Sequence, residues 1–543
     1  MPTPFGVEDE TRARGVCARV GARKAGRPAS SAGDGGHRMS EHVKKALGAS
    51  VDRRKFLGGT AAASLAAAGI SLSPRLASGQ SSVTGADWTP EYIKSIAGTL
   101  ENEDTAAFCA AVVPLDYAGK VTYAYIPPAE SEPQTVKDFD AAFWEGFKAT
   151  YPNIEVEVIG YTYNDMLDQV RTAALGGAAP HVAKMPILWG GEFAGKGQLR
   201  EFGPADIGMT DEHFWAGALK SVSIDGTRYG LPTNNETMAL IWNADLFAQA
   251  GLDPENPPAT WDDLVAYSKA IKDATGADGY GIVAKVNAGN TPFRFMPLCW
   301  AEGGSALDEA TDVPTLDGEN TMIANEGSQA AVAKLVQMYA IDKSAPASAL
   351  TNTQAENQAP FIAGKLGMMI AHPSEFAKMK DLASQATGAD KEVADKVVAS
   401  MRYGLIPQGA ARRAVVFGGS NVHVFNDDVV DGGPVDMDAA KALIAYMLSP
   451  EWSVKLAWTN SNPSNLDGFK TSWMKERLES ISFLEVTTSM LPYGIPFPTV
   501  AEAPEIMNNI IPEMLQNALT ETMTVEEACN DAAQKIKDLM SGM

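Results

Sequence analysis

KVTYAYI (120–126), VKDFDAAFWEGFKATYP (136–152) and IEVEVIGY (154–161) follow one another as strand, helix and strand. The first and last alternate apolar with polar residues, while the middle one carries apolar residues at helical spacing and stops at Pro152. Such a unit builds a parallel sheet, so this run decides the fold class as α/β. Downstream the alternation continues. NDMLDQVRTAALGGAAP (164–180) reads as a helix ended by Gly176 and Gly177, HVAKMPI (181–187) as a short strand, and TWDDLVAYSKAIKDA (260–274) as an amphipathic helix capped by Thr260. GYGIVA, LGMMIA, YGLIP and VVFGGSNVHVF read as further strands, and VDMDAAKALIAYMLSPEWSVKLAW as helix. About 460 residues of this kind exceed one sheet and one core, so two lobes are expected.

The 543-residue chain carries 67 Asp and Glu against 44 Lys and Arg. Met1 to His37 lacks a periodic apolar face, and translation is expected to begin at Met39. Arg53, Arg54, Lys55, Phe56 and Leu57 precede a Gly- and Ala-rich apolar stretch to Leu72. The arrangement resembles a twin-arginine export signal, with cleavage expected after Gly79. No other segment is apolar for the roughly 18 residues that a membrane span needs. From residue 80 onward, 31 Lys and Arg face 61 Asp and Glu, a net charge near −30. A surface of that sign argues against nucleic acid as a partner. Cys17 lies in the leader, while Cys109, Cys299 and Cys529 fit no zinc or disulfide framework; buried small hydrophobes are expected for the last two. Residues 80–117 read as a helical extension, through WTPEYIKSIAG and TAAFCAAVV.

GGEFAGKG (190–197) has P-loop spacing, but Gly197 stands where Mg²⁺ binding needs Ser or Thr, so it reads as another kind of glycine-rich loop. His181, His213, His372 and His423 are scattered singly and read as structural. Trp189, Phe293, Trp300, Tyr493 and Phe497 lie in or beside Gly- and Pro-rich segments. Aromatic rings in loops can stack on the C–H faces of sugars, although each could equally close over the core edge. In PTNNETMALIWN (232–243), Asn234, Asn235 and Glu236 stand at the mouth of an apolar run, where a catalytic carboxylate, a ligand clamp and a solvated turn are all open.

LIWNADLFAQAGLDPENPPATWDDLVAYSKAIK (240–272) resembles the signature of the family 1 extracellular solute-binding proteins, the maltodextrin-binding type that serves ABC importers. RYGLP, APFIAGKLGMMIA, VVFGGSNVHVF, AYMLSPEWSVKLAW and TVEEACNDAAQKIKDLM extend the likeness over nearly all of residues 118–543. The resemblance implies two α/β lobes, 118–235 plus 416–475 and 236–415 plus 476–543, closing on a ligand cleft. It implies Trp189 as a stacking ring, Glu192, Glu236 and Asn234 as polar contacts, and Glu130 as a candidate in IPPAESEP. It also implies Phe293, or Trp300, as an aromatic beside the cleft, with Gly419, Ser420 and Asn421 near its floor; Phe497 is a candidate from its place in MLPYGIPFP. Where the family strand commonly continues Gly-x-Trp, this chain reads Ala371-His372-Pro373-Ser374-Glu375, so a stacking Trp has no match there, a departure that bears on the substrate.

The expected protein is thus a periplasmic, monomeric non-enzyme that captures a carbohydrate or polyol and delivers it to an inner-membrane ABC permease. The precursor would be exported by the twin-arginine machinery. No catalytic residue, cofactor or metal is expected. A polyamine, glycerol phosphate or a glycoside hydrolase activity are the alternatives.

Overall fold

The computed structural model describes residues 88–542 apart from 131, 288–289, 311–315, 459–460 and 482. The expected start at Met39, the export signal and its cleavage point lie outside the described residues.

The strands are β1 (Gly119–Tyr125), β2 (Ile154–Gly160), β3 (Val182–Pro186), β4 (Ser223–Ile224), β5 (Thr227–Arg228), β6 (Leu231–Glu236) and β7 (Ala239–Asn243). They continue as β8 (Asp278–Tyr280), β9 (Leu366–Ala371), β10 (Met401–Gly404), β11 (Val415–Val416), β12 (Gly418–Val424), β13 (Asn462–Pro463) and β14 (Gly494–Ile495). Two sheets organise them. The first has the order β13-β6-β12-β3-β1-β2 and the second β10-β7-β9-β8, while β4 pairs with β5 and β11 with β14. β1 runs parallel to both β2 and β3, so successive connections leave β1 to opposite sides; this is the switch point at which open α/β sheets leave a crevice beyond their strand ends.

The Gln134–Thr150 helix buries Phe139, Phe143 and Phe147, one residue per turn on a single face. Gly146 lets it approach its neighbours: a Cβ there would lie 2.2 Å from the Tyr446 hydroxyl. Thr260 caps the Trp261–Thr275 helix in a reciprocal capping box with Asp263, as its sequence leads one to expect. GYGIVA is strand only to Tyr280. VDMDAAKALIAYMLSPEWSVKLAW breaks at Ser449 into helices Met437–Leu448 and Pro450–Leu456, because Pro450 cannot continue the first but opens the second.

The sharpest difference from expectation is TPFRFMPLCWAEGG. It forms the Asn290–Ala301 helix with Pro297 inside it, so Phe293 and Trp300 are helical residues and not loop aromatics. Burial of nearly the whole segment outweighs the helix-breaking tendency of proline.

The extension contributes helices Pro90–Ile96, capped by Thr89, and Thr105–Ala110, capped by Asp104. It is integral to the packing, since Trp88 lies 4.6 Å from Trp215 and 5.3 Å from Phe469 between ring centroids. Cys109, Cys299 and Cys529 are all buried free thiols.

Candidate functional site

A cavity of about 740 Å³ opens at the carboxyl ends of the first sheet's parallel strands. Ile126 to Ala129 after β1, Tyr161 to Tyr163 after β2, and Lys184 on β3 form part of its wall. Alternate residues of a strand share a face, which puts Tyr123 and Tyr125 of β1 in the wall together, and likewise Asn234 and Glu236 of β6. Ser420 of β12, opposite Asn234 in the register, joins them. Seven lining residues are aromatic, an unusual density for stacking on a flat ligand.

Glu132, Asp140, Lys184, Glu236 and Lys455 all line the cavity, and burial acts on three of them. Burial pushes the Glu236 carboxyl up to about 7, with Lys184 acting in the opposite direction. Burial also lowers Lys184, against the pull of Asp140 and Glu236. Asp140 is raised by burial and accepts the Tyr125 hydroxyl at 3.1 Å. Glu236 is half-buried, and neither its carboxylate nor the Lys184 ammonium has a hydrogen-bond partner among the described residues. An acceptor and a donor therefore face the same space, each wanting a partner.

The glycine pair at the end of β12 explains itself by close approach. Gly419 has φ of +120°, and a Cβ there would lie 2.0 Å from the Asn234 carbonyl oxygen. The register shifts between Ser420 and Asn421, so Ser420 lines the cavity while Asn421 is fully buried and exchanges hydrogen bonds with Ser221. Gly419 and Asn421 thus shape the floor without lining the cavity. Asn235 is no solvated turn: it is buried, and its amide donates to the Pro463 carbonyl at 3.3 Å.

The other expected positions lie elsewhere. Glu192 is held by Arg171, through Nε at 2.9 Å and Nη2 at 2.6 Å, and by Lys196 at 2.6 Å. Burial alone would raise its pKa, but those hydrogen bonds outweigh it and hold the carboxyl low. GGEFAG itself is the short helix Gly190–Gly195, so the P-loop spacing is coincidental. Trp189 is outside the wall and packs on the lining residue Tyr163 at 5.4 Å between rings. Glu130 is exposed, and its carbonyl accepts a hydrogen bond from Lys137 while the neighbouring Ala129 lines the cavity.

Trp300 is a core residue: it is fully buried, and its indole N–H donates to Glu309 at 2.9 Å. Phe497 is also buried, edge-on to Phe293 at 4.9 Å. Phe293 stands nearest the site, for a Cβ on Gly418 would lie 3.3 Å from the Glu236 Cβ and 3.6 Å from the Phe293 ring. His372 is 5.9 Å from that ring, and burial beside Arg294 drops its pKa to about 3.

Sequence reasoning missed Lys184, Asp140, Tyr125, Trp144 and Tyr163. Lys184 carried a signal, as the one charge inside the apolar strand VAKMP.

Two sheets, a crevice at the strand ends and chain crossings between the sheets define a two-lobed α/β binding-protein fold. The chain belongs to the bacterial extracellular solute-binding protein family, whose model matches residues 129–454. The sugar-binding protein MalE of Xanthomonas citri superposes with a TM-score of 0.63 at 18% identity, over 78% of this chain and 98% of that one. The cyclic α-maltosyl-1,6-maltose binding protein of Arthrobacter globiformis gives 0.61 at 20% identity, over 79% and 100%. At such identities the likeness is one of fold. The maltotriose-binding protein of Pyrococcus abyssi is 26% identical over 230 residues, 42% of this chain and 45% of that protein. A Brucella abortus (strain 2308) chain named only as a binding protein is 27% identical over 240 residues, 44% and 55%. The chain thus spans about half the length of the curated relatives it matches. Among the described residues no helix is long and apolar enough to cross a membrane.

Proposed function

We propose that this protein captures a carbohydrate or polyol in the periplasm and presents it to an ABC permease of the inner membrane, without transforming it. The observation that carries this reading is that Glu236 and Lys184, which attract each other and make no side-chain hydrogen bond among the described residues, line one cavity walled by aromatic rings. A hydroxyl satisfies both at once, accepting from the ammonium and donating to the carboxylate, while rings cover the apolar faces of a sugar. The maltotriose-binding protein of Pyrococcus abyssi, a sequence relative over part of the chain, is named for a ligand of the same class.

A glycerol phosphate ligand is a weaker fit, although the sn-glycerol-3-phosphate-binding periplasmic protein of Escherichia coli (strain K12) is 47% identical over 49 residues. Its anion would meet Glu236 and Asp140 as well as Lys184. A polyamine would meet the Lys184 ammonium.

The lobes are taken as 118–235 with 416–475, and 236–415 with 476–543. What supports that division is the passage of the chain from the first sheet at Glu236 to the second at Ala239, and its return at Gly418. The leader at 1–79 accounts for export by the twin-arginine route, and the mature chain acts as a monomer.

The test is a thermal-shift screen of the mature protein against mono- and disaccharides, polyols, polyamines and glycerol phosphate. A true ligand at 100 times its Kd stabilises by about 2.7 kcal/mol. Stabilisation by polyamines alone would overturn the carbohydrate reading, and sustained release of cleaved product from oligosaccharides would overturn the transport one.

A further inference from the structure

The extension before β1 lies against the places where the chain passes between the two sheets. Those places are residues 237–238, between β6 and β7, and Phe417, through which the chain re-enters the first sheet. Trp88 and Ile93 are buried in one apolar cluster with Phe417, Phe469 and Leu491. Beyond Ile96 the extension is tied to the first lobe. The Gly98 N–H donates to the Thr471 carbonyl at 3.0 Å, the Leu100 N–H donates to that of Lys470 at 2.8 Å, and Glu103 accepts from the Ser472 N–H at 2.6 Å.

The extension also grips the helix Leu484–Met490. Lys94 reaches Glu485 at 2.8 Å; that hydrogen bond is the main cause of its raised pKa, and Tyr403 of β10 adds to the rise. This helix in turn touches both sheets and a crossing. The Thr237 hydroxyl, next to Glu236, donates to the Thr487 carbonyl, and the Thr488 hydroxyl donates to Asn462 of β13 at 2.7 Å. Phe483, just before the helix, stacks on Phe376 at 4.8 Å and meets Tyr403 at 5.4 Å. A hinge works by changing the backbone angles of its few crossing residues, so a helix bonded to a crossing and held from outside resists that change. We infer that residues 88–96 are a strap across the hinge, anchored on the first lobe by Trp88 and on the Leu484–Met490 helix by Lys94, that limits how far the lobes swing apart. The inference rests on the two-lobe reading. An ion pair as exposed as Lys94 with Glu485 contributes little in water, so the buried Trp88 and Ile93 carry most of the hold.

The experiment is pulsed electron resonance on the ligand-free mature protein, spin-labelled at cysteines placed on exposed positions. Leu175→Cys with Leu382→Cys, and Val158→Cys with Leu382→Cys, span the lobes; Val158→Cys with Leu175→Cys, within the first lobe, is the control. Cys109, Cys299 and Cys529 are buried and stay unlabelled. Trp88→Ala should widen the interlobe distance distributions by at least half and leave the control alone. Lys94→Glu, which sets like charge against Glu485, should widen them in the same sense, and adding Glu485→Lys should restore them; this pair decides if Trp88→Ala does not fold. Interlobe widths broader than the control but unmoved by the variants overturn the strap alone. Interlobe widths that match the control in every variant mean that the lobes form one rigid body, and the two-lobe reading falls with the strap.

Discussion

Glu236→Gln isolates the electrostatics of the site. The carboxyl titrates near 7 in the folded protein against an ordinary value of 4.5, because burial disfavours its charge. A folded-state pKa raised above the unfolded one means that the native protein holds the proton more tightly. Stability is therefore lost as pH climbs from about 4.5 to about 7, and the full penalty persists above that window. A displacement of this size is worth roughly 3 kcal/mol, and water entering the cavity beside the half-buried carboxylate reduces it to about 2. Glutamine keeps the shape and carries no charge. The variant should accordingly match the wild type in urea stability at pH 4.5 and exceed it by about 2 kcal/mol at pH 8, ligand-free. Its gain should shrink when a saturating ligand is added, because the bound hydroxyl partners the wild-type carboxylate. A stability difference that stays constant from pH 4.5 to 8 would refute the argument that burial raises the Glu236 carboxyl.

Trp300→Phe should cost about 1–2 kcal/mol in denaturant unfolding while ligand affinity stays within twofold, since the indole serves Glu309 in the core. Gly419→Ala forces a Cβ against the Asn234 carbonyl at positive φ; it should destabilise by more than ~3 kcal/mol and show as a lowered melting temperature or insoluble protein. Trp144→Ala should weaken the ligand at least tenfold by titration calorimetry, whereas Trp189→Ala, which acts only through Tyr163, should weaken it less. Arg171→Leu leaves Glu192 with Lys196; unfolding should become easier by about 1 kcal/mol, with binding unchanged within error.

The α/β class was legible because strand and helix periods differ so plainly between Lys120 and Tyr161. Glu236 and Asn234 could be noticed because polar residues beside an apolar run are conspicuous, whereas Ser420 came only through the family resemblance of FGGSN. Trp300 and Asn421 had the right chemistry but the wrong orientation. A residue's type does not reveal which side of a helix or strand it occupies, and two prolines disguised the helix that carries Trp300. The reverse error hid the cavity wall. Tyr123 and Tyr125 read merely as alternation, Trp144 as one more apolar residue on a helix, and Lys184 as a stray charge. Only the assembled sheet brings Lys184 to face Glu236, 52 positions later in the chain, across the strand that carries Ser420.

The first sheet is stitched from distant parts of the chain, which has a consequence for biogenesis. Its edge strand is Asn462–Pro463, and Trp88 rests against Phe469. A chain emerging from the ribosome cannot seal its first lobe until nearly all of it has been made, so folding by completed N-terminal pieces is closed to it.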